Sequence, residues 1–447
     1  MLRKMILSGA DVFRLNMSHA RHDWCREIVP TIRKISREVG KTVGVLFDLQ
    51  GPSIRTGDID GKYQLAKDEE VEFRKEGAEP ELEKSTTVNY DGLMEDVQEG
   101  NEIIVDNGEM LMKVERLSHD RMVCSVITPG SMGSRRHINL PGVRLNLPAL
   151  TEKDHADIKV AAECEADFVA GSFVRDAGHV RELRAALHAA GGKSQIVSKL
   201  EDQEAMKHLD DIIRESDLIM VARGDLGIEV HVEELPIIQR RIVKRCHQLG
   251  TRVIVATHML ESMIENPTPT RAEVTDVSNA VYEEADAIML SGETTVGKYP
   301  TRCVELMDRV ARRIERSGGM GFGKQVSLRT EKQKTIQAAA NLADSIPKAL
   351  LVVFTRSGRT AHQAALLRPS SSIFAFAPSQ EVTAALTLSR SVRPFQIEFS
   401  DQPRETINQA IAFLQNKRDL PKGTPMVIFS ELMHEGKAVD SIFVIHS

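Results

Sequence analysis

The chain has 447 residues, which is room for two to four domains of ordinary size. Its hydrophobic share of 41% and charged share of 27% are those of a soluble globular protein. A net charge of −6 and an aromatic share of only 4% argue against nucleic acid as a partner, since neither a basic footprint nor stacking platforms are present. The five cysteines are scattered with no CxxC pair, which points to a reducing compartment and to neither zinc nor a disulfide framework. No stretch approaches the roughly 18 apolar residues of a membrane span, and the N-terminus lacks a signal-peptide core, so the cytoplasm is expected and no membrane partner.

Residues 1–9 read as a helix stopped by Gly9. VFRLN then reads as a strand running into a polar cluster of Arg14, Asn16, Ser18 and His19. DWCREIVPTIRKISREVG is a helix, and KTVGVLFDLQGPSIRTG a second strand with Asp48 and Arg55 at its end. Between about 54 and 140, short alternating runs and turn signals such as DNG predict an all-β insertion. Its exit, RRHINLPGVRLNLPAL, has the Pro and Gly of a hinge. The βα rhythm resumes with a helix capped by Thr151, and continues to about 318. Seven strands are counted in this series; a closed (β/α)8 barrel needs eight, which leaves one to precede residue 1, where the chain opens in mid-helix. Residues 319–329 read as a linker, and from 330 a fresh α/β rhythm predicts a separate open-sheet domain.

The most informative stretch is 195–229, a strand, a helix and a second strand. One strand delivers Lys199 and Glu201, the other Arg223 and Asp225, with Gly224 and Gly227 beside them. Buried strands that end in charge place a site at the carboxyl ends of a parallel sheet. Two carboxylates with open positions left over suit a hard divalent cation such as Mg²⁺. The bland alternative is a surface salt bridge between exposed strand ends. In the C-terminal half, the loop Thr355, Arg356, Ser357, Gly358, Arg359, Thr360 has the hydroxyls and glycine of a phosphate cradle; an ordinary capped helix start is the alternative.

RLNMSHA, FDLQGPSIRTG, INLPG, VSKLEDQEA, VARGDLGIE, VATHMLESM, PTRAEVTDVSNAV and MLSGETTVGKYP occur in this order, and the chain resembles pyruvate kinase over nearly its whole length. The resemblance implies a (β/α)8 barrel at 1–53 and 140–318, a small β-barrel lid at 54–139, and a regulatory α/β domain at 330–447. It implies transfer of the phosphoryl group of phosphoenolpyruvate to ADP, giving pyruvate and ATP. Glu201 and Asp225 would hold Mg²⁺ or Mn²⁺. Gly224, Asp225 and Thr257 would bind the substrate carboxylate and Arg14 its phosphate. Lys199 would stabilise the group in flight, Arg55 would face both phosphoryl groups, and Asn16, His19 and Arg136 would meet the nucleotide. Thr257 and Ser291 match residues of a proton relay. Asn16, Ser18, Asp48 and the Leu49 carbonyl match a K⁺ site, for which strand-end capping and an arginine partner are the plain alternatives. A sugar-phosphate effector at 355–360 and a homotetramer are further implications.

This chain departs from the family pattern at several points. The family's opening strand is absent ahead of the first helix. Ser53 stands where the family has Glu or Lys, which leaves potassium dependence open. The pair Arg135–Arg136 replaces a lysine, and His258 replaces a glutamine. Two rivals fit the same residues less well: an Mg²⁺-dependent barrel lyase or aldolase, and an inactive phosphometabolite-binding remnant. ADP dependence separates the first from a kinase, and turnover separates the second.

Overall fold

The computed structural model describes residues 1–416, 420–434 and 437–446. Its centre is a curled sheet of seven parallel strands, Val12–Asn16, Gly44–Asp48, Phe168–Gly171, Gln195–Leu200, Leu218–Ala222, Arg252–Ala256 and Ala287–Met289. Spatial order equals chain order, as a barrel crossover requires. Side chains alternate across each strand with period two and so make two cores. Val45, Phe47, Val169, Ile196, Ile219, Val221, Val253 and Val255 face the outer helices. Leu46, Phe168, Ala170, Val197, Met220, Ile254 and Ala256 fill the interior. Among the described residues the first and seventh strands are the edges of this sheet. The helix layer nevertheless continues across that seam. Helix Leu2–Ser8 ends at Gly9 with φ +124, as expected, and packs on helix Pro300–Glu315, with Ser8 Oγ donating to Glu305 at 3.1 Å.

The insertion forms a six-stranded sheet with a separate two-stranded ribbon, Tyr63–Leu65 with Gly130–Met132. Its core is its own, built from residues such as Val71, Phe73, Met110, Met112 and Cys124. The DNG signal is the turn between Glu102–Val105 and Met110–Leu117, where Asp106, Asn107 and Gly108 all take positive φ.

The C-terminal sheet has five strands: Leu350–Phe354, Ile373–Ala377, Val392–Gln396 and Pro425–His434 run parallel, and Lys437–His446 returns antiparallel. Several contacts tie it to the barrel, Arg252 to the Ala385 carbonyl at 2.8 Å and His362 to the Gly250 carbonyl at 3.0 Å among them. Leu388, from the short 3₁₀ turn Leu386–Leu388, enters the barrel's interior cluster. Arg368 donates to Asp286 Oδ1 at 2.9 Å, both side chains being buried.

The sequence reading needs three local corrections. The helix expected between the strands of 195–229 is two, Gln203–Lys207 and Leu209–Glu215, broken at His208. Arg223 and Asp225 do not end a strand; they open the helix Arg223–Glu229, because the strand stops at Ala222. The segment expected as a linker is packed down: Phe322 is 3% exposed in the barrel core, and the N–H groups of Gly321 and Gly323 donate to Glu284 at 2.7 and 3.0 Å.

Candidate active site

Lys199 lies in the strand Gln195–Leu200 and Glu201 is the first residue beyond it, two residues on, with its carboxylate on the same side as the lysine. The Lys199 ammonium lies 2.8 Å from Glu201 Oε1 and 3.3 Å from Asp48 Oδ1, and donates to Ser172 Oγ at 2.7 Å. Asp48 ends the second strand, and its Oδ2 accepts from Arg14 Nε at 2.5 Å. Glu201 Oε2 accepts the Phe173 backbone N–H at 2.6 Å. Three strand ends thus deliver one buried constellation of two cations and two anions. Ser172 was not singled out from the sequence. Its signal was available, because ADFVAGSF ends a strand as the others do. The turn at Gly51 needs a glycine: φ is +70, and a Cβ there would sit 2.8 Å from Ser172 Cβ.

The charges are uneven. Burial pushes the Asp48 carboxyl up, but Lys199 and Arg14 more than offset it and hold it below the usual range. Burial disfavours the Lys199 ammonium, and Asp48 and Glu201 reverse that, so the lysine stays protonated. Burial raises Glu201 to about 7; Lys199 opposes the rise and Asp225 adds to it. Among the described residues Glu201 Oε1 has no hydrogen-bond partner beyond its ion pair with Lys199. A buried carboxylate repelled by a second carboxylate is a donor set that fits a divalent cation. Among the described residues no group of three or more His, Cys, Asp or Glu is placed to hold a metal, so remaining ligands would come from substrate and water.

Gly224 and Asp225 lie in the first turn of the helix Arg223–Glu229. The Gly224 N–H donates to Thr257 Oγ1 at 2.8 Å, and Thr257 takes φ +69, rare for a β-branched residue. Arg223 secures this strained turn, donating to the carbonyls of Ala256 (3.2 Å) and Thr257 (2.5 Å) and to Asp276 (2.7 Å). Thr257→Val removes the acceptor for Gly224 without changing shape. The expected cost is about 1–2 kcal/mol in urea denaturation, with turnover down by about tenfold. His258 follows with φ +53 and an exposed side chain. Ser291 is set by Glu293, whose carboxylate accepts from the N–H groups of Ser291 (2.7 Å) and Leu260 (2.9 Å); the Ser291 hydroxyl is buried with no hydrogen-bond partner among the described residues.

Other expected residues divide. Asn16 is the register partner of Asp48, and its Oδ1 accepts the Ser18 N–H at 3.1 Å, which is the strand-end cap. The Leu49 carbonyl accepts from Ser172 Oγ at 2.8 Å. Ser18 and His19 are exposed. Arg55 donates to Ser53 Oγ (3.2 Å) and the Arg135 carbonyl (3.1 Å). Arg135 pairs with Asp58, and Arg136 with Asp106 at 3.3 Å, so Arg136 is held within the insertion. In the loop at 355–360, Thr355 and Thr360 are buried, Ser357 and Arg359 are exposed, and Arg356 lies over the Phe399 ring at 5.5 Å. Gly358, with φ +85, precedes the helix Arg359–Leu366.

Together, fold and site define an α/β barrel-type protein with a cluster of paired charges at its strand ends. Comparison with known proteins is specific. The family model for the pyruvate kinase barrel domain matches residues 1–304, and that for the pyruvate kinase alpha/beta domain matches 333–445. Plastidial pyruvate kinase 3 of Arabidopsis thaliana is 38% identical over 427 residues, covering 95% of this chain and 74% of its own. A pyruvate kinase of Staphylococcus epidermidis is 34% identical over 455 residues, covering 100% and 77%. One of Sporosarcina psychrophila is 39% identical over 404 residues, covering 88% and 68%. The chain belongs to the pyruvate kinase family and is a phosphotransferase of that kind.

Proposed function

We propose that the group around Lys199 is the phosphoryl-transfer centre, taking phosphate from phosphoenolpyruvate to ADP and yielding pyruvate and ATP. The observation that carries this reading is the Lys199 ammonium, buried between Asp48 and Glu201 with Arg14 beside it. A phosphoryl group in flight spreads negative charge over its oxygens, and preorganised cations lower that barrier most. Arg14 turns from Asp48 to the substrate phosphate. Lys199, whose charge is secured by two carboxylates, faces the moving group. Backbone N–H groups at Gly224 and Asp225, with Thr257, take the substrate carboxylate. Glu201 and Asp225 would hold Mg²⁺ or Mn²⁺, which would supply positive charge to the reacting anions. Thr257 and Ser291 Oγ serve a water-borne proton that converts the product enolate to pyruvate.

Residues 54–139 act as a lid on the barrel of 1–53 and 140–318, with 330–447 regulatory. Lid closure brings Arg55 and Arg136 to the nucleotide beside Asn16 and His19, and excludes water that would otherwise compete with ADP. Arg136 exchanges Asp106 for phosphate in that step. Asn16, Ser18, Asp48 and the Leu49 carbonyl offer oxygen ligands of the kind K⁺ takes. Residues 355–360 take a sugar phosphate, and four copies assemble in the cytoplasm; these two points rest on the family likeness.

The test is pyruvate formation by the purified chain with phosphoenolpyruvate, ADP and Mg²⁺, with and without K⁺. Turnover that needs ADP supports the kinase; ADP-independent turnover supports a lyase; ligand binding without turnover supports a remnant. Glu201→Gln keeps the shape and removes a charged ligand. It raises the Mg²⁺ concentration for half-maximal rate by about tenfold or more, read by metal titration.

A further inference from the structure

The chain returns from the insertion to the barrel along residues 140–147, which form no helix or strand past Asn139. A strap with Pro141, Gly142 and Pro148 should be loose on composition alone. It is instead gripped from both sides. From the barrel, Arg175 donates to the carbonyls of Leu145 at 2.7 Å and Leu147 at 2.5 Å. From the insertion, Asp96 accepts from Asn146 N at 2.9 Å and Asn146 Nδ2 at 2.7 Å, and is itself held by the Tyr90 hydroxyl at 2.5 Å. Arg175 is only 9% exposed, and the next residue, Asp176, caps the helix Ala177–Ala189, so its own backbone is well anchored.

Beneath the strap lies a cavity of about 300 Å³, lined by the strap, Phe173, Arg175 and Glu229. Two further contacts cross it or lie at its edge. Asn139 Nδ2 donates to Glu229 at 2.9 Å, at the end of the helix whose first turn carries Asp225. The His137 ring meets Phe173 edge-on at 5.9 Å, and Phe173 N is the donor to Glu201. The strap borders this void and is held on either side by the clamp.

We propose that Arg175 is a positioning residue for the reaction: with Asp96 it clamps the strap 145–147 and sets how the insertion closes over the site. The inference rests on the reading of residues 54–139 as a lid. Arg175 touches no reacting group. Its fork holds two carbonyls at once, which a lysine cannot reproduce. The two sides of the clamp act through one strap, so their losses are not additive.

The experiment uses the full chain with Arg175→Lys, Asp96→Ala and their combination. Asn146→Asp is added because it sets a carboxylate against Asp96 at an exposed position that does not threaten folding. Trp24, the sole tryptophan, lies on barrel helix His22–Val39 and serves as donor to a dye on His119→Cys in the insertion, in a Cys164→Ser background. Parent protein shows a change in energy transfer on adding phosphoenolpyruvate, ADP and Mg²⁺. Arg175→Lys and Asn146→Asp shift the transfer before ligand is added. They raise the KM for ADP by about tenfold with kcat within about twofold, and release pyruvate without ADP more readily. The double variant is no worse than the worse single. Parent protein that responds while the variants match it, or additive losses in kcat/KM, overturns the clamp alone. Parent protein whose transfer ignores the substrates overturns the lid and the clamp together.

Discussion

Lys199→Met lowers turnover by about a thousandfold or more, and lowers stability most when no divalent cation is present. The first effect follows from removing a full charge from a preorganised site, where even one neutral donor is worth about 10²–10³ in rate. The second follows from what the lysine leaves behind. Glu201 is 1% exposed, and among the described residues Lys199 is the ionic partner of its Oε1. Asp48 still has Arg14. Breaking a buried pair by removing one partner costs up to about 3–5 kcal/mol, reduced here because Glu201, already raised by burial, can take up a proton once the lysine is gone. Mg²⁺ at about a hundred times its dissociation constant returns about 2.7 kcal/mol. Urea denaturation of parent and variant, with and without Mg²⁺, reads this. A stability loss that Mg²⁺ leaves untouched would remove Glu201 from the metal site.

Asp286→Ala destabilises the chain by about 3–5 kcal/mol and loosens the C-terminal sheet from the barrel. Asp286 Oδ1 pairs with Arg368, and its Oδ2 accepts the Val253 N–H at 3.0 Å. Arg368 also donates to His247 Nε2 and to the Glu284 carbonyl, both at 2.9 Å, so one guanidinium joins the turn before the strand Ala287–Met289, the helix Leu235–Leu249 and the end of the helix Arg271–Tyr282. Burial pushes Asp286 up, and Arg368 outweighs it, leaving the carboxyl at about 2 against an ordinary 3.8. A depressed carboxyl stabilises the fold above its unfolded value and stops doing so as pH falls through its folded one. The ionised Asp286 therefore contributes about 2 kcal/mol at neutral pH, lost between about pH 4 and pH 2. Parent protein should show that slope in acid denaturation and Asp286→Ala should lack it. A variant that keeps the slope would place the acid-sensitive group elsewhere.

Much of the architecture was legible locally. Apolar runs of strand length alternating with helical periods announced the barrel strands. Thr151 caps its helix as expected, in a capping box with Asp154, and Gly9 ends its helix, because such signals depend on a few neighbouring residues. Lys199 and Glu201 could be paired from spacing, since residues two apart at a strand's end leave on the same side. The break at His208 and the helix opening at Arg223 were not legible, because polar residues at a strand's end suit a turn, a strand or a helix start equally. Phe322 looked like part of a linker, since nothing nearby in sequence reveals the barrel core that buries it.

What the sequence by itself determined is the alternation of elements and the chemical character of each strand end. That information is short-range: hydrophobic period, caps and turn residues. Only the tertiary structure decided which ends meet. Asp48 stands between Arg14 and Lys199 because three strands lie in register around one axis. Leu388 reaches the barrel interior, and Arg175 reaches the strap, because separate segments pack there. Burial then turned those meetings into strong interactions, since charges that would be screened in water are held together where little water enters.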